Sequence, residues 1–360
     1  MTKEAVVKET IAVRADTSQP DAPIRVVLCG LGPIGIQSGK LAACKDGIEV
    51  VGAVEIRQDL VGRPLSDVLS DAAVAGQITD DLGGCLSAAA PDVVLHTTSS
   101  HVPDVRDQLR TIVSAGVNVV SSTEELLYPH LHNSNISGEL DALARQHDAT
   151  IIGTGVNPGF VMDLLPVVLS GVCQKVERVE VTRVVDAAKR RAPLQEKVGA
   201  GISPEEFERR AQAGRIGHVG LVESMAFVAS AFGWEIDRFE DELEPVIADR
   251  VTESDHFRVQ PGEVAGIRET GRAYMGEYEC ISLRLEMYLG APHPRDAVRI
   301  FGAPPINLQI AGGIHGDLAT CAALVNAIPG ALAAPPGLLT LRDVAPARAF
   351  CARSVILKAD

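Results

Sequence analysis

The sequence predicts an α/β fold, a doubly wound parallel sheet followed by an α+β domain. Three observations carry this. Apolar runs of strand length alternate with helix-length segments from Ile24 to about Ile152, three closely spaced glycines follow the first run, and long β-like runs begin near 235. At 360 residues the chain is also long for one core, which sets a prior of about two domains.

The first run, Ile24 to Cys29, reads as a strand, and Gly-Leu-Gly-Pro-Ile-Gly35 as a tight turn into a helix. Gly30 permits the turn, Gly32 lets backbone approach a pyrophosphate, and Gly35 allows the helix to pack closely on its strand. Pro33 suits a first helical turn, where no amide hydrogen is needed, and Ile34 continues it. A second run, Ile48 to Val54, ends in Glu55, 25 residues after Gly30. Its carboxylate is expected to accept both ribose hydroxyls of an adenosine. Together these features form the Rossmann dinucleotide fingerprint, and NAD is the expected cofactor. Arg57 can pair with a 2'-phosphate, which keeps NADP open, or can be a solvated loop arginine.

Further strands are expected at 74–78, 92–96, 117–121 and 149–152, with helices over Ile34–Cys44, Val102–Ala115 and 136–147. In such sheets ligands sit beyond the carboxyl ends of the strands. His96, Thr97, Thr98 and Ser99 are therefore expected on the cofactor. Glu124 and Glu125 follow the fifth run, where the nicotinamide ring should lie; a helix start also favours acids there. Asn157 is expected either on the nicotinamide or as a helix cap before Pro158.

After Gly159 a helix is expected at 160–171, a strand over Val176–Val185, and helices at 203–213 and 220–233. β-like runs follow at 235–260, 264–274 and 277–289. Pairs such as Arg268/Glu269 and Arg284/Glu286 suggest a largely antiparallel sheet with one wet face. A helix from Leu318 to Ile328, stopped by Pro329, is expected to pack back on the first domain, with 335–360 wrapping the surface. The expected divisions are a flexible arm (1–22), a dinucleotide-binding domain (23–156), an α+β substrate and dimerisation domain (157–310) and a returning helix and tail (311–360).

Composition excludes several partners. With 47 acidic against 33 basic side chains, the formal charge of -14 repels nucleic acid and anionic membranes, and only 4% of residues are aromatic. No apolar core marks the first 22 residues, and no stretch reads as long and apolar enough to span a bilayer. Seven scattered cysteines, odd in number and without metal spacing, fit a reducing cytoplasm. The histidines show no zinc pattern, and neither a Gly-x-Ser-x-Gly elbow nor a Walker A lysine is present.

Five motifs stand together in the chain: Gly-Leu-Gly-Pro-Ile-Gly35, Ser-Thr-Glu-Glu-Leu126, Gly-Val-Asn-Pro-Gly-Phe160, Gly217-His-Val-Gly-Leu-Val-Glu-Ser224 and Gly313-Ile-His-Gly-Asp317. On them the chain resembles the 2,4-diaminopentanoate dehydrogenases and related native amine dehydrogenases, within the dihydrodipicolinate reductase-like superfamily. The resemblance implies reversible, NAD(P)-dependent deamination of a primary amine to a ketone and ammonia, with Glu124 at the amine and Glu125 as runner-up. It also implies a homodimer through the second sheet, with the apolar runs near 278–289 as a plausible surface. The substrate pocket is expected from Phe160, Val161, Asp186, His218 and Thr320, for a 2,4-diaminopentanoate-like or simple alkyl amine. An imine or carbonyl reductase on the same fold, and a non-catalytic NAD(P)-binding sensor, are the competing readings.

Overall fold

The computed structural model describes residues 22–350. The expected N-terminal arm, apart from Ala22, and the last ten residues of the tail lie outside them.

The first sheet grows from βαβ units: β1 (Ile24–Cys29), α1 (Pro33–Ala43), β2 (Ile48–Val54), α2 (Leu65–Leu69), β3 (Ile78–Thr79), α3 (Leu82–Ala89), β4 (Val93–His96), α4 (Val102–Ser114), β5 (Asn118–Ser121), α5 (Ser134–Gln146) and β6 (Thr150–Gly153). A 3-10 turn, Glu124–Leu127, sits between β5 and α5. The strand expected at 74–78 shrinks to two residues. Asp71 takes the Ala73 and Val74 amides through its side chain and carbonyl, which closes a turn where the apolar run suggested a strand. Helix α3 was not anticipated from its small residues, and Asp81 caps it by accepting from the Gly84 amide at 2.9 Å.

The second sheet follows. Its elements are α6 (Leu164–Ser170), β7 (Lys175–Asp186), α7 (Ala192–Lys197), α8 (Pro204–Gln212), α9 (Leu221–Phe232), β8 (Arg238–Ile247), β9 (Thr252–Glu253), β10 (Arg258–Val259), β11 (Val264–Met275), β12 (Tyr278–Tyr288), β13 (Arg295–Ala303) and β14 (Ile306–Ala311). Six of these strands form a mixed sheet in the order β14-β13-β7-β12-β11-β8, antiparallel except for the β7–β12 pair. Strand alternation divides its faces. Ile281, Leu283 and Leu285 point inward and are buried, as are Met225 and Phe227 of α9. The outer face is ionic: Arg178 pairs with Glu180 and Glu279, Arg268 with Glu244 and Glu286, and Arg284 with Glu286. The run near 278–289 therefore presents charge outward, not the apolar surface expected there.

Two further expectations change. The helix expected at 160–171 begins only at Leu164, because the buried Asp163 carboxylate gathers the Gly159 amide, the Leu164 amide and the Ser224 hydroxyl into a cap. The last helix, α10 (Gly316–Ala333), continues through Pro329, with Val325, Ile328 and Ala331 buried on either side of it. Packing there outweighs the one missing amide bond. By length and composition α10 is apolar enough to cross a membrane, contrary to the sequence reading, yet it packs on α1 and on β4–β6. After it, β15 (Gly337–Leu339) joins β6, so the start of the expected surface wrap is an edge strand of a seven-stranded parallel sheet ordered β15-β6-β5-β4-β1-β2-β3.

Within the mixed sheet, Arg183 on β7 ties β13 to the turn that leads into α10. Its Nη1 donates to both Asp296 oxygens at 2.9 Å and its Nη2 to the Ile314 carbonyl at 2.7 Å, and neither charged side chain is more than 2% exposed. Asp296→Ala leaves a buried guanidinium without its counter-charge and is expected to cost about 3–5 kcal/mol in urea unfolding. Replacing both partners together by leucine and methionine is expected to recover most of that loss.

Candidate active site

A cleft of about 470 Å³ opens between the carboxyl ends of the parallel strands and the inner face of the mixed sheet. Gly32, Pro33 and Ile34 form one wall with Thr97, Thr98 and Ser99. Behind them the turn is tightly built: Gly30 has φ +92°, and a Cβ on Gly35 would stand 2.0 Å from the Gly30 carbonyl oxygen. The Gly30 amide is held by the Val54 carbonyl and the Leu31 amide by Glu55. Gly32 faces open space where a Cβ would be, and no side chain caps α1. Backbone alone borders the cleft there, as an approaching phosphate requires.

Four expected cofactor residues are placed differently. Glu55 accepts backbone amides from Leu31, Ile56 and Arg57 at 2.7, 2.8 and 3.1 Å. A carboxylate has about four acceptor positions, so one remains, enough for a single ribose hydroxyl and not for both. Arg57 is folded onto Asp59. His96 is fully buried outside the cleft, its ring bonded to Ser121, Gln108 and Thr98, and burial pushes it down to about 4. It ties β4 to β5 and α4. Ser99 lines the cleft, but its hydroxyl donates to Asp104.

The two glutamates separate. Glu125 is occupied three times: by His101 Nδ1 at 2.8 Å, the Val102 amide at 2.7 Å and Asn133 Nδ2 at 3.0 Å. It caps α4 and ties down the start of α5. Glu124 lines the cleft, and among the described residues no hydrogen bond or ion pair holds its carboxylate. Gly220, at φ +103°, packs beside it; a Cβ there would stand 3.4 Å from Glu124 Cβ and 2.6 Å from Pro158 Cγ.

Asn157 and His218 face the same cleft and bond to each other. His218 Nε2 lies 2.9 Å from the Asn157 carbonyl oxygen and 3.0 Å from Asn157 Nδ2. Burial, then the charge of Lys197, pushes the imidazole down to about 4, so it is neutral at neutral pH. Its amide donates to buried Glu269 at 2.9 Å, and burial followed by the neighbouring Asp241 pushes Glu269 up to about 8. Thr320, at the start of α10, completes this side.

Three expected pocket residues lie elsewhere. With α6 starting late, Phe160 turns toward solvent and Val161 into the core. Asp186 accepts the Ala188 and Gly290 amides and closes turns at the end of β7. In their place stands a cationic wall that the sequence reading missed: Arg183, Arg190, Arg191 and Lys197, with Asp317 taking Arg190 at 2.9 Å and Arg191 at 3.5 Å. Lys197 has no ion pair among the described residues. The run Lys189-Arg190-Arg191 was the visible signal, but nothing local relates it to Glu124.

A glycine turn at the carboxyl ends of a parallel sheet, facing a mixed sheet across a cleft, is the architecture of a Rossmann-type dehydrogenase. A model of the 2,4-diaminopentanoate dehydrogenase C-terminal domain matches residues 160–357. The 2,4-diaminopentanoate dehydrogenase of Acetoanaerobium sticklandii is 32% identical over 348 residues, spanning 91% of this chain and 95% of the relative. An amine dehydrogenase structure from Mycobacterium smegmatis superposes with a TM-score of 0.80 at 26% identity, over 92% of this chain and 99% of that one. A scyllo-inositol dehydrogenase from Lactobacillus casei with bound NAD(H) shares the fold at a TM-score of 0.51 and 15% identity, over 80% and 76% of the two chains. The chain belongs to the 2,4-diaminopentanoate dehydrogenase family, among oxidoreductases acting on the CH-NH2 group of donors.

Two outcomes follow from the geometry. Glu125→Ala is expected to lower stability by about 1–3 kcal/mol, since it leaves the amide of buried Val102 and the Asn133 amide without their acceptor, while Glu124→Ala stays within about 0.5 kcal/mol; chemical unfolding of both variants distinguishes them. Glu269 holds its proton more tightly folded than unfolded, so its contribution is full below its ordinary value of 4.5 and is lost as pH rises through about 8. Glu269→Gln should therefore gain stability relative to wild type across that window, and a constant difference between the two proteins would contradict this.

Proposed function

We propose that the chain is a nicotinamide-dinucleotide-dependent dehydrogenase of a primary amine that also carries a carboxylate, with Glu124 serving the reacting nitrogen. The observation that carries the reading is the unpaired Glu124 carboxylate in the cleft beside an occupied Glu125. The bare backbone of Gly32 supports a dinucleotide at the glycine turn, with Thr97, Thr98 and Asn157 along its path. When bound, the nicotinamide supplies hydride for amination and accepts it in deamination.

The residues of the chain do the rest. In the amination direction ammonia adds to a ketone and water leaves, and the iminium so formed is positive. The Glu124 carboxylate offsets that charge and carries protons between the nitrogen and the departing water. His218 stays neutral and adds no competing cation. Across the cleft, Lys197, which has no ion pair among the described residues, and Arg191, held only at 3.5 Å by Asp317, suit a substrate carboxylate, with Arg190 and Arg183 paired to Asp317 and Asp296. A simple alkyl amine is the second reading, favoured by the apolar lining from Leu194, Val198, Ile267 and Met287.

Loss of reduced-nicotinamide absorbance with 4-oxopentanoate is expected only when ammonium is present, and Glu124→Gln should slow it by about 10²–10⁴-fold. Oxidation indifferent to ammonium would move the protein to the carbonyl reductases, and cofactor binding without turnover of any ketone would make it a sensor. Lys197→Met is expected to raise KM for 4-oxopentanoate about tenfold and leave 2-pentanone within about twofold. Equal effects on both ketones would favour the alkyl-amine reading.

A further inference from the structure

The loop after β2 carries four charges that sum to zero: Glu55, Arg57, Asp59 and Arg63. Their arrangement is not symmetrical. Glu55 is turned onto backbone amides with one acceptor position left, at the place where this fold receives an adenosine ribose. Ile56, 76% exposed, offers an apolar plate beside it of the kind an adenine face covers. The nearby guanidinium that would meet a 2'-phosphate already has an occupant: Arg57 Nε donates to Asp59 Oδ1 at 3.2 Å and Nη2 to Oδ2 at 2.7 Å.

A ribose hydroxyl needs only the remaining Glu55 acceptor. A 2'-phosphate must displace Asp59 from Arg57 and then sit beside two carboxylates. We propose that Asp59 is the cofactor-specificity residue of this chain, biasing it toward NAD over NADP by occupying Arg57 and by opposing a 2'-phosphate with its own charge. The proposal rests on the dinucleotide reading of the glycine turn and is independent of the amine chemistry. Both partners are more than half exposed, at 55% and 64%, and an exposed ion pair is a weak hold. Repulsion between like charges therefore supplies the larger part, and salt should weaken it. The Arg57 fork also keeps the Asp59 carboxyl below its ordinary value, so the charge persists at neutral pH.

The test is fluorescence titration of the full chain with NADH and NADPH, for wild type, Asp59→Asn and Asp59→Asn with Arg57→Met. Wild type should bind NADH the more tightly, by a margin that shrinks in high salt. Asp59→Asn should gain about tenfold for NADPH with NADH within about twofold, and adding Arg57→Met should erase the gain. A wild type that prefers NADPH, or an Asp59→Asn variant with unchanged NADPH affinity, overturns the proposal. Binding of neither cofactor overturns it together with the dinucleotide reading. Binding as expected without amine turnover would sustain it while the amine reading falls.

Discussion

The buried contact between Arg183 and Asp296 is the constraint on which the cleft depends. The two face each other across β7 and β13, and Asp296 also accepts the Ile314 amide while Arg183 reaches the Ile314 carbonyl. Those bonds fix the turn that launches α10. Asp317 in its first turn then reaches Arg190 and Arg191, so one ion pair in the sheet sets the position of the next at the cleft wall. Such a pair is not a strong source of net stability. Its value is geometric, since a charge held this far from water has few alternative partners.

Against that wall stands a division of labour between adjacent carboxylates. A 3-10 turn carries Glu124 and Glu125 in different directions. Three donors hold Glu125, leaving Glu124 as the uncommitted acid of the turn. Around it the cleft keeps other charges quiet. His218 is neutral through burial, Glu269 holds a proton beside Asp241, and the inner arginines carry counter-charges. The cleft thus carries the uncommitted Glu124 carboxylate on one wall and the unpaired Lys197 ammonium on another.

The sequence by itself determined the main frame of the nucleotide half. Five of the six named strands, the glycine turn and helices α1, α4 and α5 follow from local periodicity and from glycines whose conformations no other residue adopts easily, whereas the short α2 and α3 do not. Family membership was legible for the same reason, in short motifs at turns. Where prediction failed locally, the cause was competition: Asp71 closed a turn against an apolar run, and packing carried α10 through Pro329.

Only the tertiary structure decided which of the expected residues reach the cleft with a free polar group and which are drawn to other partners. Local pattern treats Glu124 and Glu125 alike and the resemblance ranks Glu124 first; in the folded chain His101, Val102 and Asn133 occupy Glu125 and leave Glu124 open to the cleft. Phe160 and Val161 left the pocket because Asp163 found Ser224 on a different helix. The cationic wall joins residues near 190 to Asp317, and Glu55 was drawn to Leu31 across the turn. Each of these outcomes depends on hydrogen-bond partners brought together by folding, whereas periodicity and spacing record only what neighbours along the chain require.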